Sequence, residues 1–210
     1  VLKLGSLVEE NVVRVTESLV GRDLVLSAEL VAADQAVNAE CISTNMAILQ
    51  LIALQQPIAI DMRFLAASLE IVDELERIHD YVKSIGKISQ SLEIDEIEPV
   101  IGSIIVQMGA KVCNMLHLAL EAYAKRDVEL AYSVPARDNE VDKLFEEANR
   151  RIIALIMADS TKTTAANYLQ WATHNLERAG DRAINICEWV AYLVTAEYHE
   201  FESEYEMPQP

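Results

Sequence analysis

Glu76-Arg77-Ile78-His79-Asp80 is answered in the second half of the chain by Glu177-Arg178-Ala179-Gly180-Asp181. One hairpin ahead of each motif stands another oxygen-bearing pair, Asp34 with Asn38 and Asp138 with Asp142. Members of each pair are four residues apart, so on a helix they share one face. Pro57 lies about 20 residues from both first-half pairs, and the Asp159-Ser160 break about 20 from both second-half pairs. Antiparallel helices joined at those points climb about 30 Å, at about 1.5 Å per residue, and bring the pairs level. The pattern therefore demands helical hairpins in which four oxygen-bearing side chains converge, twice.

The hairpins belong to an internal repeat. Arg22, Asp23, Leu26, Asp34 and Val37 recur at one constant offset as Arg126, Asp127, Leu130, Asp138 and Val141. Leu75, Glu76, Arg77 and Asp80 recur at a slightly shorter offset as Leu176, Glu177, Arg178 and Asp181, so the second hairpin is the shorter one. Apolar residues spaced by three and four predict helices almost throughout. Leu4, Leu7, Val8, Val12, Val15 and Leu19 form the first stripe, ending near Gly21. A second helix is expected from about Asp23 to Gln55, where Pro57 cannot extend it, and a third from Ile58 or Ala59 to Ser89. Ser91 to Pro99 is polar and acidic and reads as a connection. Further helices are expected over Ile101 to Ala124, Asp127 to Ala158 with Pro135 kinking or dividing it, and Thr161 to Glu200. No strand-like alternation interrupts them. The predicted fold is all-α, two tandem three-helix bundles. The first repeat covers residues 1–92, the second 98–200, and an acidic, Pro-tipped tail 201–210. Phe64, Trp171 and Trp189 are assigned to the core or to helix packing.

The net charge of −17 speaks against nucleic acid, whose binding needs a basic face. It suits cations or basic partner surfaces, although most of it is solvated helix surface. Cys41, Cys113 and Cys187 stand far apart in apolar surroundings, as small buried hydrophobes of a protein in a reducing cytosol. No apolar run is read as reaching the roughly 20 residues of a membrane span, and no signal peptide is visible. The chain opens on Val1 rather than Met, and a trimmed N-terminus is expected. No Gly-rich phosphate loop and no nucleophile-base set with a recognisable motif is present, so no residue is given a catalytic role.

The acidic faces point to metal chemistry. On the third helix Asp73, Glu76 and Asp80 lie at i, i+3 and i+7, and His174, Glu177 and Asp181 repeat that spacing. The candidate ligands are therefore Asp34, Asn38, Asp73, Glu76 and Asp80 in the first repeat. In the second they are Asp138, Asp142, His174, Glu177 and Asp181. Hard oxygen donors suit Mg, Mn, Ca or Fe, with Zn also accommodated. Four facing carboxylates repel one another unless some protonate or a cation enters. A single Glu-x-x-x-Asp would be better explained by surface ion pairs to Arg77 or Arg178; the duplication with matched partners favours metal. His79 completes a Glu-x-x-His, the ligand motif of di-iron carboxylate bundles, so a di-iron oxidase is the alternative function. That enzyme needs the motif twice, and Gly180 fills the matching position. His79 is accordingly expected beside the site or at the surface, and His117 and His199 receive no role.

Taken together, several segments resemble the PhoU family over nearly the whole chain. They are Leu75-Glu76-Arg77-Ile78-His79-Asp80 with Ile85, its twin Leu176 to Ile186, Gln56-Pro57 followed by Asp61-Met62-Arg63-Phe64-Leu65, and the Arg22-Asp23 and Arg126-Asp127 motifs. The resemblance implies two spectrin-like three-helix bundles with pseudo-two-fold symmetry, and acidic motifs that bind multinuclear iron or zinc. It also implies a cytoplasmic, non-enzymatic regulator, often dimeric and peripheral to the membrane at most. Members restrain the phosphate ABC transporter and, with a sensor histidine kinase, repress the phosphate-starvation response, so the implied partners are the transporter ATPase and that kinase. Two departures fall in the first repeat: Asn38 replaces a carboxylate, and His79 replaces the usual Gly. Its site is expected to be weaker or different in metal preference.

Overall fold

Asp23 and Asp127 begin matched helices in the same way. Each carboxylate accepts a hydrogen bond from the backbone N–H three residues on, Leu26 at 2.9 Å and Leu130 at 3.0 Å. Such caps satisfy amides that a helix start leaves unpaired. The residue before each cap, Arg22 or Arg126, is left-handed with φ of 56° and 55°. The repeat is thus visible in the backbone as well as in the letters.

The computed structural model describes residues 1–94 and 96–201. The helices are α1 (Leu2–Val20), α2 (Leu24–Gln55), α3 (Ala59–Ser91), α4 (Pro99–Lys125), α5 (Val128–Ser133), α6 (Asp138–Ala158) and α7 (Thr163–Thr195). Pro135 opens a 3-10 turn over Pro135–Arg137 that separates α5 from α6, the division its missing N–H predicts. The consequence is local and important: Asp138 becomes the first residue of α6. The connection after Ser91 ends at Glu98, which accepts from Ile101 N–H at 2.9 Å, with Pro99 as the first residue of α4. α7 stops at a left-handed Ala196, earlier than the expected Glu200. Beyond it Phe201 is docked: its N–H donates to Glu188 Oε1 at 2.8 Å and its ring lies 5.4 Å from that of Tyr132. The rest of the acidic tail, 202–210, lies outside the described residues.

α1, α2 and α3 form one bundle; α4, α6 and α7, with α5, form the other. The two are not separate bodies. α3 packs most extensively against α7, and α1 against α4, so four inner helices share one continuous core running from Leu4 to Leu193. Leu75, Ile78, Ile105, Met108 and Leu116 are buried in it, each such side chain stabilising the fold by about 1.5–3 kcal/mol. Ion pairing joins the halves too: Arg182 Nη1 lies 3.4 Å from Glu74 Oε2, both largely buried. Arg22 donates to the carbonyls of Ser89 and Leu92, closing the end of α3. Its counterpart Arg126 instead covers the Phe64 ring at 5.0 Å, which stacks on Tyr123.

Three expectations are corrected. Leu7 and Trp171 face solvent, Trp171 with 58% of its surface exposed and its edge against Tyr168; Trp189 is half-buried between Tyr192 and Tyr198. His79 is not at the surface but fully buried, in the place beside the site that is its other expected position, 3.6 Å from Asp34. Finally, α2 and α4 each contain an 18-residue stretch of mean hydropathy 1.3, long and apolar enough for a span by length and composition. In α4 half of that stretch is buried, but in α2 only 17% is. From Cys41 to Ile60 there is no charged residue, and Ile42, Met46, Leu54 and Ile58 are exposed.

Candidate functional site

Each hairpin brings its acidic pairs level, as the turn distances require, but the two clusters are neutralised differently. In the first repeat the α2 pair meets a cation belonging to the chain. Lys83 Nζ, one turn beyond Asp80 on α3, lies 2.7 Å from Asp34 Oδ2 and 3.2 Å from Asp80 Oδ1. Hydrogen bonding to Asp34 raises the Lys83 pKa, so the ammonium is firmly charged. Asn38 Nδ2 donates to the same Asp34 Oδ2 at 3.3 Å. Asp73, nearer the hairpin tip, accepts from Asn45 Nδ2 at 2.9 Å. Glu76 remains inside the acidic face, its pKa raised by burial and by Asp80, Asp34 and Asp73.

His79 fills the remaining space. Asn11 Nδ2 stands 3.2 Å from its Nε2; an amide nitrogen only donates, so Nε2 accepts and the ring proton is on Nδ1. That nitrogen faces Asp34 Oδ1 at 3.6 Å, beyond hydrogen-bond reach, and both atoms lack partners. Burial lowers the His79 pKa despite the nearby Asp34, consistent with a neutral ring.

The second repeat has neither group. The position matching Lys83 is Ile184, and that matching His79 is Gly180. Asp138 lies against the backbone of Gly180, where an added Cβ would stand 2.9 Å from Asp138 Oδ1. Asp138 Oδ1 is buried without a hydrogen-bond partner, and buried Glu177 Oε2 has only the imidazole of His174 beside it. Burial pushes the Asp138 pKa up to about 7, reinforced by Asp142, Asp181 and Glu177. Asp142 is raised by burial and by Asp181 and Glu146. Glu177 is raised by burial and Asp181, with His174 opposing. Burial also raises Asp181, against the pull of Arg182 and Arg178. The basic groups nearby are peripheral: His174 Nδ1 lies 3.2 Å from Glu177 and is half-exposed, and the Arg178 guanidinium lies over the Tyr81 ring at 5.3 Å. The start of α6 favours negative charge at Asp138 but does not neutralise four acids.

The donors of the second cluster fit a hard cation in type and charge. Their side chains stand apart, and among the described residues no three His, Cys, Asp or Glu groups form a ready-made metal shell. Closure onto an ion requires side-chain rotation, and Asp138 Oδ1 has no hydrogen bond that such a rotation would break. The first cluster does not fit: Asp34 and Asp80 already hold an ammonium, and His79 takes the room that Gly180 leaves open. Sequence reasoning missed Lys83, although its spacing from Asp80 put it on the acidic face. Elsewhere His117 lies 3.3 Å from Glu9 and His199 the same distance from Glu197, away from both clusters.

Comparison with known proteins agrees with this duplicated architecture. The chain is 30% identical over 195 residues to the phosphate-specific transport system accessory protein PhoU homolog of Clostridium acetobutylicum, covering 92% of this chain and 89% of the relative. The crystal structure of PhoU from Pseudomonas aeruginosa superimposes with a TM-score of 0.86 at 30% identity, over 93% of this chain and 94% of that one. The phosphate transport system regulatory protein PhoU from Streptococcus pneumoniae gives a TM-score of 0.87 at 26% identity, over 95% and 94%. The family model of the PhoU domain matches twice, at residues 1–89 and 105–190, once for each bundle. Two copies of one helical domain, fused through a common core, make this chain a member of the PhoU family.

Proposed function

We propose that the protein is a cytoplasmic regulator that restrains high-affinity phosphate uptake by binding other proteins, with a cation held in its second repeat. The observation that carries the regulatory reading is the tandem match of the PhoU domain to both bundles, in a chain whose relatives are named as accessory or regulatory proteins of phosphate transport. The partners proposed are the ATPase of the phosphate ABC transporter and the phosphate sensor histidine kinase, and the protein is proposed to act as a homodimer. The uncharged and largely exposed 42–60 stretch, in which Ile42, Met46, Leu54 and Ile58 face outward, supports docking through apolar contact, and the charge of −17 supports a partly basic partner face.

The cation reading rests on the buried, unpartnered Oδ1 of Asp138 and on the three further acids, Asp142, Asp181 and Glu177, ranged about it. Asp138, Asp142, Glu177 and Asp181 would hold it, with His174 at the edge. Iron or zinc is implied by the family, and Mg, Mn or Ca by the oxygen donors. The bound ion would supply positive charge that neutralises these carboxylates. The residues themselves set its place: Gly180 admits Asp138, and the α6–α7 hairpin fixes the level at which the pairs meet.

The test of the regulatory reading is a deletion strain scored for phosphate uptake and starvation-gene expression in phosphate-rich medium, alongside pull-downs with the transporter ATPase and the kinase. Uptake or starvation-gene expression should rise, and capture should weaken with added salt. Unchanged phosphate control together with no capture of either protein would overturn it.

A further inference from the structure

We infer that Lys83 is a tethered replacement for the metal ion in the first repeat, so that this half closes without an ion of its own. The inference takes from the proposed function what a cation would do in such a cluster, but it does not depend on the second repeat binding one.

The geometry is specific. The Lys83 ammonium bridges the two hairpin helices, 2.7 Å from Asp34 on α2 and 3.2 Å from Asp80 on α3. A metal held by the matched acids would make the same bridge. Two further substitutions relative to the second repeat point the same way. Asn38 in place of an acid removes one negative charge, so less cationic charge is needed. Its amide donates to Asp34, the same carboxylate oxygen that Lys83 contacts. His79 in place of Gly fills the cradle beside Asp34, and Asn11 on α1 fixes the ring from behind. The charged groups facing Lys83 are Asp34 from α2, and Glu76 and Asp80 from α3. Of these Asp34 and Asp80 bind it directly. An entering divalent ion would have to displace a charged amine that is already paired with two of its own ligands. In the second repeat the matching Ile184 offers no such occupant.

The experiment counts Mn(II) bound to the full chain by electron paramagnetic resonance. Four proteins are compared: wild type, Glu177→Ala/Asp181→Ala, that double variant with Lys83→Met, and Lys83→Met alone. Methionine keeps most of the aliphatic stem while removing the charge. One ion is expected on wild type, none on the double variant, and one regained when Lys83→Met is added to it. Binding by the double variant with Lys83 intact would overturn the inference, and that arm does not require the Met variants to fold. Failure of the folded triple variant to bind would overturn it too. If wild type binds no ion but the triple variant does, the inference stands and the metal reading of the second repeat falls. A separate thermal scan gives a second readout. Lys83→Met should lower Tm in metal-free buffer and recover it on addition of Mn(II), whereas a Tm unmoved by either change would count against a counter-ion role.

Discussion

Asp138 rests against Gly180, at a distance that a single added methyl would abolish: the Cβ would lie 2.9 Å from Asp138 Oδ1. The first prediction concerns this contact. Gly180→Ala should gain helix propensity of about 1 kcal/mol in the middle of α7 while pushing the Asp138 carboxylate off its seat. Stability in chelator and metal affinity should therefore move in opposite directions, with Mn(II) binding weakened by about tenfold, or roughly 1.4 kcal/mol. Urea unfolding in chelator and a Mn(II) titration of the same variant measure the two effects. A variant that binds Mn(II) as tightly as wild type would refute the seat.

Without metal, stability should fall as pH rises. Asp138 has an ordinary value of 3.8 and is raised to about 7 in the fold. Between those values the native state holds a proton that the unfolded chain has lost, so raising pH favours unfolding. The stabilising contribution is complete below about 3.8 and lost as pH passes 7, with an upper bound on the order of 4 kcal/mol. Asp138→Asn, which keeps the shape without the charge, should flatten this slope between pH 5 and 8, conditions on the order of those that bracket the shift. Urea midpoints across that range in chelator provide the check. Metal should invert the trend, because a proton on Asp138 competes with the ion.

Removing the second-repeat acids should separate binding from folding. Glu177→Ala/Asp181→Ala is expected to abolish metal binding yet leave helicity intact, since both side chains belong to a mutually repelling cluster and not to the apolar core. Elemental analysis after purification without added metal, paired with far-ultraviolet circular dichroism, tests this. Full metal stoichiometry in the variant would rule out the assignment of these ligands.

The Arg182–Glu74 pair between α7 and α3 should respond quite differently. Arg182→Ala leaves Glu74, 9% exposed, without its guanidinium partner. Loss of one member of a largely buried pair costs about 3–5 kcal/mol, and equilibrium unfolding should show it at any metal concentration. A midpoint within error of wild type would mean that Glu74 is compensated by other groups.

The helices, the matched Asp caps, the Pro135 division and the level of the acidic pairs were all legible from spacing, because each depends on neighbours in sequence or on rise per residue. What spacing missed depended on which neighbour filled a gap. Lys83 was concealed by a search for repeated acids: its twin is Ile184, so comparing the halves made it look incidental. His79 looked like a fragment of a ligand motif, yet it is held by Asn11 from α1, a helix outside the hairpin. Trp171 reads as a core or helix-packing residue, but its position on α7 looks outward. In α2 the apolar residues run all round the helix, a pattern that ordinarily signals full burial, while among the described residues its cover comes chiefly from α3 and α1.

The shared core turns an ancestral duplication into an indivisible object. A lone first half would present to water the faces of α1 and α3 that now meet α4 and α7, and a lone second half would do the same in reverse. Neither fragment is a smaller working version of the whole. Fragment expression, domain exchange and gene splitting at the Ser91–Pro99 connection should all yield sticky, poorly soluble products, even though the boundary is plain in the sequence. What began as two copies now survives only as one.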